Sequence, residues 1–223
     1  MARNRTKTKS TWVALMIAAA AIATIVDVVL SNQIHMSPTM ARMAPWLLAR
    51  AGGITAYLLL TALVVVGMVL SSVPNRENWR MSKVLLPFHR FLSLFLLAFL
   101  ALHVAAICLD SYAKVGVMGA FVPLMSSYRT IPVALGTLSF YALLLLAVTA
   151  RFTRLLPTGR WLTIHRFALI TFTLSFLHGV LTGTDSPLLT TMYDGSVITV
   201  LLTLFIRYAF LSRRNSDVVE RQG

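Results

Sequence analysis

The sequence of 223 residues predicts an all-α, polytopic membrane protein: a bundle of six transmembrane helices with both termini in the cytoplasm. Three observations predict it. Apolar residues make up 57% of the chain and charged residues 12%, about half the charged share of a soluble domain, and the mean hydropathy is +0.78. Six apolar runs each approach the roughly 20 residues that a helix needs to cross a hydrocarbon layer of about 30 Å. Finally, Lys and Arg concentrate in alternate connections between those runs.

In chain order, residues 1–11 form a short basic segment, and the first run is Trp12 to Leu30. It reads as a span and not as a secretory signal, because it outlasts a signal's apolar core and no small-residue cleavage site follows closely. The others are Gly52 to Leu70, Phe88 to Leu109, Pro132 to Ala150, Trp161 to Gly183 and Met192 to Leu211. Breakers such as Ser71-Ser72-Val73-Pro74-Asn75 and Leu156-Pro157-Thr158-Gly159 mark tight connections. Bases flank the ends assigned to the cytoplasm: Arg3, Arg5, Lys7 and Lys9, then Arg76, Arg80 and Lys83, then Arg151, Arg154 and Arg160, then Arg207, Arg213, Arg214 and Arg221. The opposite connections hold Arg42, Arg50, Lys114 and Arg129. The domain reading is therefore a cytoplasmic segment 1–11, a membrane domain 12–211 and a cytoplasmic tail 212–223 too short to fold alone, in a multi-pass protein of the cell (inner) membrane.

The net charge of +13 is spread between apolar runs and forms no block suited to nucleic acid, so the bilayer is the expected partner and nucleic acid is not. One cysteine, Cys108, excludes an internal disulfide, an iron–sulfur cluster held by this chain alone and a thiolate zinc site. Redox or metal chemistry falls to the five histidines.

Four of these form two pairs. His89 and His103 lie 14 residues apart on the third span, His165 and His178 lie 13 apart on the fifth, and both spans start in the cytoplasm. His89 should thus stand level with His165, and His103 with His178. A rise of about 1.5 Å per residue separates the two levels by about 20 Å, near opposite faces of the layer. Two stacked haems, each held by one imidazole from each helix, fit that geometry, since an iron with two neutral imidazole ligands shuttles electrons without binding a small molecule. Arg90 and Arg166 follow the inner histidines directly, with Arg80 and Lys83 nearby, and are natural partners for the inner propionates. Fourteen residues return to within about 40° of one helix face, whereas thirteen miss it by about 140°. The fifth helix must therefore bend, bulge or turn its ligands in from different directions, and Thr171, Thr173 and Ser175 can support this by bonding to backbone carbonyls. Ionisable groups inside a membrane are rare and costly, which sets two matched pairs apart from a lone histidine bonded to a neighbouring helix.

The segments Phe88-His89-Arg90-Phe91-Leu92 with Leu102-His103, and Trp161-Leu162-Thr163-Ile164-His165-Arg166 with Leu177-His178-Gly179, resemble the ligand motifs of a membrane haem family. That family comprises ferric reductases, NADPH oxidases and the bacterial haem subunit that feeds electrons to a periplasmic methionine sulfoxide reductase. The resemblance runs from about Ala49 to Phe210. It implies six helices holding haem b through the third and fifth, with His89 and His165 on the inner haem and His103 and His178 on the outer one. Leu48-Ala49-Arg50-Ala51-Gly52 looks like the family's arginine motif, which brings Arg50 to the outer haem; the other reading is an interfacial base. The oxidases carry a further histidine one turn beyond the second ligand of the third helix, where this chain has Ile107, which puts superoxide production in doubt. The single-haem subunit lacks histidine at the first ligand position, where this chain has His89, which favours two haems b. Eukaryotic members append a flavin and nicotinamide domain that this sequence does not show. A flavin at the cytoplasmic face or on a partner is a further expected cofactor, and the expected donor is a cytoplasmic flavoprotein reductase, a ferredoxin or quinol, drawn to the basic inner face.

Other residues have plainer readings. Asp110, Asp185 and Asp194 lie at or near the outer face, where Thr182 to Leu188 reads as a helix end and turn and alternatively as a dock for a cationic acceptor. Asp27 is a relay or arginine partner, or an interfacial acid. His35, Met36, Met40 and Met43 form an amphipathic surface segment, with Cu(I) binding as the alternative. Asp110 to Ile131 is long for a connection and suits a segment on the outer membrane surface or over the outer haem, while Cys108 reads as packing.

These readings combine into a di-haem cytochrome b, the electron-transfer component of a ferric-reductase-like oxidoreductase, carrying electrons from a cytoplasmic donor to an outer acceptor. The alternative is a haem-free bundle acting as a transporter or assembly subunit, with the histidines relaying protons or joining helices.

Overall fold

A computed structural model describes residues 20, 24, 27–28, 38–72, 80–153, 156, 160–184 and 187–220. Among them every regular element is a helix: α1 Pro38–Ser72, α2 Ser82–Leu109, α3 Gly116–Phe121, α4 Thr130–Arg151, α5 Arg160–His165, α6 Ala168–Thr182 and α7 Thr190–Glu220. Five stretches are long and apolar enough to cross a membrane, α5 and α6 counting together as Arg160–Thr182. They cover the second to sixth predicted spans. The first, Trp12 to Leu30, lies outside the described residues apart from Ala20, Thr24, Asp27 and Val28, which are helical.

Three helices outrun their predicted spans by six residues or more, α2 among them because it starts at Ser82 and not Phe88. α1 starts at Pro38, a residue suited to a first helical turn, and the Ala, Met and Leu that follow are strong helix formers, so the outer connection continues the membrane helix. Its 35 residues span about 52 Å, well beyond the hydrocarbon layer. α7 likewise runs on to Glu220.

The fifth span breaks directly after His165. Phe167 N–H bonds to the Ile164 carbonyl at 3.0 Å and Leu169 N–H to that of Arg166 at 3.5 Å, three residues back in both cases. Such a turn winds about 120° per residue against 100° in an α-helix, so each residue in it recovers about 20° of the expected misalignment. Thr171 and Thr173 bond back to the carbonyls of Phe167 and Leu169 at 3.2 and 3.0 Å, as the sequence suggested, whereas Ser175 instead joins Ser139 of α4 at 2.6 Å.

α1 is the central helix, with 44% of its span buried against 11–33% for the other four. It packs along α2 and also touches α6 and α7, while α4 packs along α6. Tyr57, Leu60, Leu63 and Val64 of α1 meet Leu96 of α2, Leu143 of α4, Phe172 of α6 and Val200 of α7 in one buried cluster. Outward-facing Leu144, Leu145, Ile170, Leu201 and Phe205 are exposed, as expected of side chains that contact lipid. By contrast α2 and α6, which carry the paired histidines, make no extensive contact with each other.

Candidate functional site

The side chains of α2 and of the α5–α6 span approach across this gap in two places. The rings of His89 and His165 have centroids 6.1 Å apart with planes at 71°, and those of His103 and His178 have centroids 6.3 Å apart with planes at 80°. An imidazole nitrogen lies about 2.0–2.1 Å from a bound transition metal and about 1.1 Å from its own ring centroid, so two imidazoles on opposite sides of one ion stand about 6.2–6.4 Å apart. The outer pair falls within that range and the inner pair lies about 0.1 Å below it. Among the described residues no three His, Cys, Asp or Glu side chains converge as a metal centre. Histidines grouped in twos fit an ion whose other ligands come from a planar macrocycle.

The outer pair borders a cavity with about 1400 Å³ of empty space, counting its open mouth. Its lining includes the apolar Leu60, Leu96, Leu100 and Leu143 and the polar Arg50, Tyr128 and Thr182. Ile107 also lines it. Arg50 is held in place twice: its guanidinium donates to Thr184 Oγ1 at 2.8 Å and lies 4.5 Å from the centroid of the Trp46 ring. Tyr128 donates to the Thr182 carbonyl at 3.1 Å and Arg129 to the Leu181 carbonyl at 2.5 Å, which satisfies the last turn of α6 below the mouth.

The two pairs differ in how their rings are held. His103 Nδ1 lies 2.6 Å from the Ala49 carbonyl and His178 Nδ1 lies 2.9 Å from that of Pro132. A carbonyl only accepts, so the proton sits on Nδ1 and the lone pair of Nε2 is left for a ligand. A Cβ added at Gly53 would lie 2.8 Å from His103 Nδ1, and one at Gly136 would lie 2.6 Å from His178 Nδ1. In the inner pair, Nδ1 of His89 and of His165 are buried and have no hydrogen-bond partner among the described residues. Arg90 and Arg166, next in sequence to these two, are exposed.

Several predicted features have definite places. Asp110 is buried and accepts the N–H groups of Tyr112 and Ala113 at 3.1 and 2.7 Å, so it serves a turn. The long connection carries α3, and its Ala113, Val115 and Ala120 line the outer cavity while Val117 and Met118 are exposed. Left-handed backbone at Lys114, Gly116, Leu124 and Arg129 turns the chain back over this end of the bundle. Cys108 is a half-buried free thiol. Asp27 and Asp194 are exposed. His35, Met36, Asp185, Arg3, Arg5, Lys7, Lys9, Arg76, Arg154 and Arg221 lie outside the described residues, while Met40 and Met43 belong to α1. Sequence reading missed Gly53, Gly67, Gly136 and the ring-holding carbonyls. One signal was available: Gly53 and Gly67 are 14 residues apart, the same interval as His103 and His89, which they face on the antiparallel neighbour.

The family model for the ferric reductase like transmembrane component matches residues 52–182. That stretch contains all four paired histidines and begins two residues after Arg50. No curated protein and no solved structure matches the chain.

Proposed function

Since the chain belongs to the ferric reductase like transmembrane component family, we propose that it is a di-haem cytochrome b that passes electrons from a cytoplasmic-side donor to an acceptor on the outer face. The two histidine pairs carry this reading, with centroid separations of 6.1 and 6.3 Å that match imidazoles on either side of one iron. When bound, haem b would supply reversible one-electron chemistry.

The protein's own part is to hold, shield and neutralise. His89 and His165 hold the inner group, and His103 and His178 the outer one. Leu60, Leu96 and Leu143 keep water away from the space between the levels. Arg50, fixed by Thr184 and Trp46, offers a cation to the outer propionates. Arg90 and Arg166 do the same on the inner side. Both termini lie in the cytoplasm in this reading, and the basic inner face receives a flavoprotein reductase, a ferredoxin or quinol; a flavin belongs to that partner or to that face. The cell (inner) membrane is the site of action.

The test is spectroscopic. The purified full-length chain should show a Soret band, a reduced α-band of low-spin haem b and about two haems per chain. His89→Ala and His103→Ala should each remove a different haem. Colourless protein from haem-replete cells would reject the haem reading in favour of a cofactor-free bundle, and loss of neither haem would reject the pairing.

A further inference from the structure

The two pairs share one spacing, yet their rings are held differently, and the cause lies on the helices beside them. In the outer pair each accepting carbonyl belongs to the residue four before a glycine: Ala49 before Gly53 on α1, and Pro132 before Gly136 on α4. Inside a helix such a carbonyl points at the N–H four residues on, and a Cβ there would stand over it. The glycines remove that cover. At Gly53 a Cβ would come within 2.8 Å of His103 Nδ1 and 3.0 Å of Cε1; at Gly136 it would come within 2.6 Å of both His178 Nδ1 and Cε1. Real Cβ atoms do not approach other atoms so closely, so a side chain at either place forces the ring off its carbonyl.

The inner level provides the contrast. Gly67 faces His89, but there a Cβ would meet Cε1 at 3.3 Å and Nδ1 only at 4.0 Å. The ring is turned differently, and its Nδ1, like that of His165, is buried with no partner among the described residues. An Nδ1–H that gives its proton partly to a carbonyl makes Nε2 a stronger electron donor, which favours the more positive, oxidised state of a metal bound there.

We infer that Gly53 and Gly136 are positioning residues that open the Ala49 and Pro132 carbonyls to the outer histidines, making the outer haem the lower-potential one of the two. This rests on the di-haem reading. Redox titration of the haem-loaded full-length chain, followed optically, tests it. In Gly53→Ala and Gly136→Ala the lower-potential component rises, or is lost with about one haem per chain remaining, while the higher-potential component stays in place. In Gly67→Ala the lower-potential component is unmoved. Two wild-type midpoints in both outer-glycine variants, a shift confined to the higher-potential component, or a moved lower component in Gly67→Ala would overturn the assignment. Should the outer-glycine variants fail to fold, His103→Ala decides: it must lack the lower-potential component, and lack of the higher one overturns the inference. A wild-type chain that binds no haem would sink the proposed function itself, a result distinguishable from all of these.

Discussion

Ser139 shows how polar side chains tie this bundle together. Buried on α4, it bonds to Ser175 Oγ at 2.6 Å and donates to the Thr171 carbonyl at 3.1 Å, so one hydroxyl bridges α4 and α6. Interhelical hydrogen bonds in membranes contribute about 0.6–2 kcal/mol, and Ser139→Ala should destabilise the protein by that amount, read as a lower unfolding midpoint in detergent. An unchanged midpoint would mean the bridge carries no stability. Tyr57 and Ser196 make a similar buried bridge between α1 and α7. At this scale the sequence revealed what is chemically rare. Four histidines in apolar helices stand out because ionisable groups are costly there. Gly53 and Gly136 do not, since many glycines occur in membrane helices and the role of one depends on which ring lies against it, a fact about a neighbouring helix. The hold on Arg50 by Thr184, which is 134 positions away, is hidden for the same reason.

Among the elements, the broken fifth span has the sharpest consequence. His165 lies on α5 and His178 on α6, with the tight turn at Arg166 and Phe167 between them. One alanine inserted between Phe167 and Ala168 lengthens the interval to 14 residues and turns α5 by about 100° relative to α6. Such a protein should keep the outer haem and lose the inner, with about one haem per chain; retention of both would show that the thirteen-residue interval imposes nothing. The need for a distortion was readable from the interval alone. Its form was not, because an ideal helix can be corrected by a bulge, a bend or a tight turn, and hydrogen bonds to Ile164 and Arg166 select the last. The second to sixth spans were legible from apolar length. The outward extension of α1 was not, since Met40 to Ala51 is mixed enough to read as a surface segment and becomes helical through its own propensity and its continuity with the span.

At the level of the whole molecule, charge and depth bear on the proposed exchange with redox partners. Arg80, Lys83, Arg151 and Arg160 are exposed at the helix ends assigned to the cytoplasm. A screening length of about 10 Å at 0.1 M salt, falling to about 3 Å at 1 M, weakens attraction between such a face and an acidic donor. Reduction by a soluble acidic donor should slow as salt is raised, measured as the second-order rate; a rate independent of salt would favour a donor within the membrane. The helical class was readable from composition and order. The gap between α2 and α6 was not, because it depends on α1 and α4 standing on either side of it.

That gap sets its two ring pairs at different depths, and an electric field acts along the same direction. Fourteen helical residues cover about 21 Å of a layer of about 30 Å, so an electron moving between the levels crosses about two thirds of the voltage drop. With the interior negative, outward movement of negative charge is favoured by about 1.5 kcal/mol for each 100 mV, which offsets a lower outer potential. In sealed vesicles an imposed interior-negative gradient should draw reducing equivalents toward the outer level, and reversing its sign should return them. The respiratory state of the cell would then set how far the outer centre is charged.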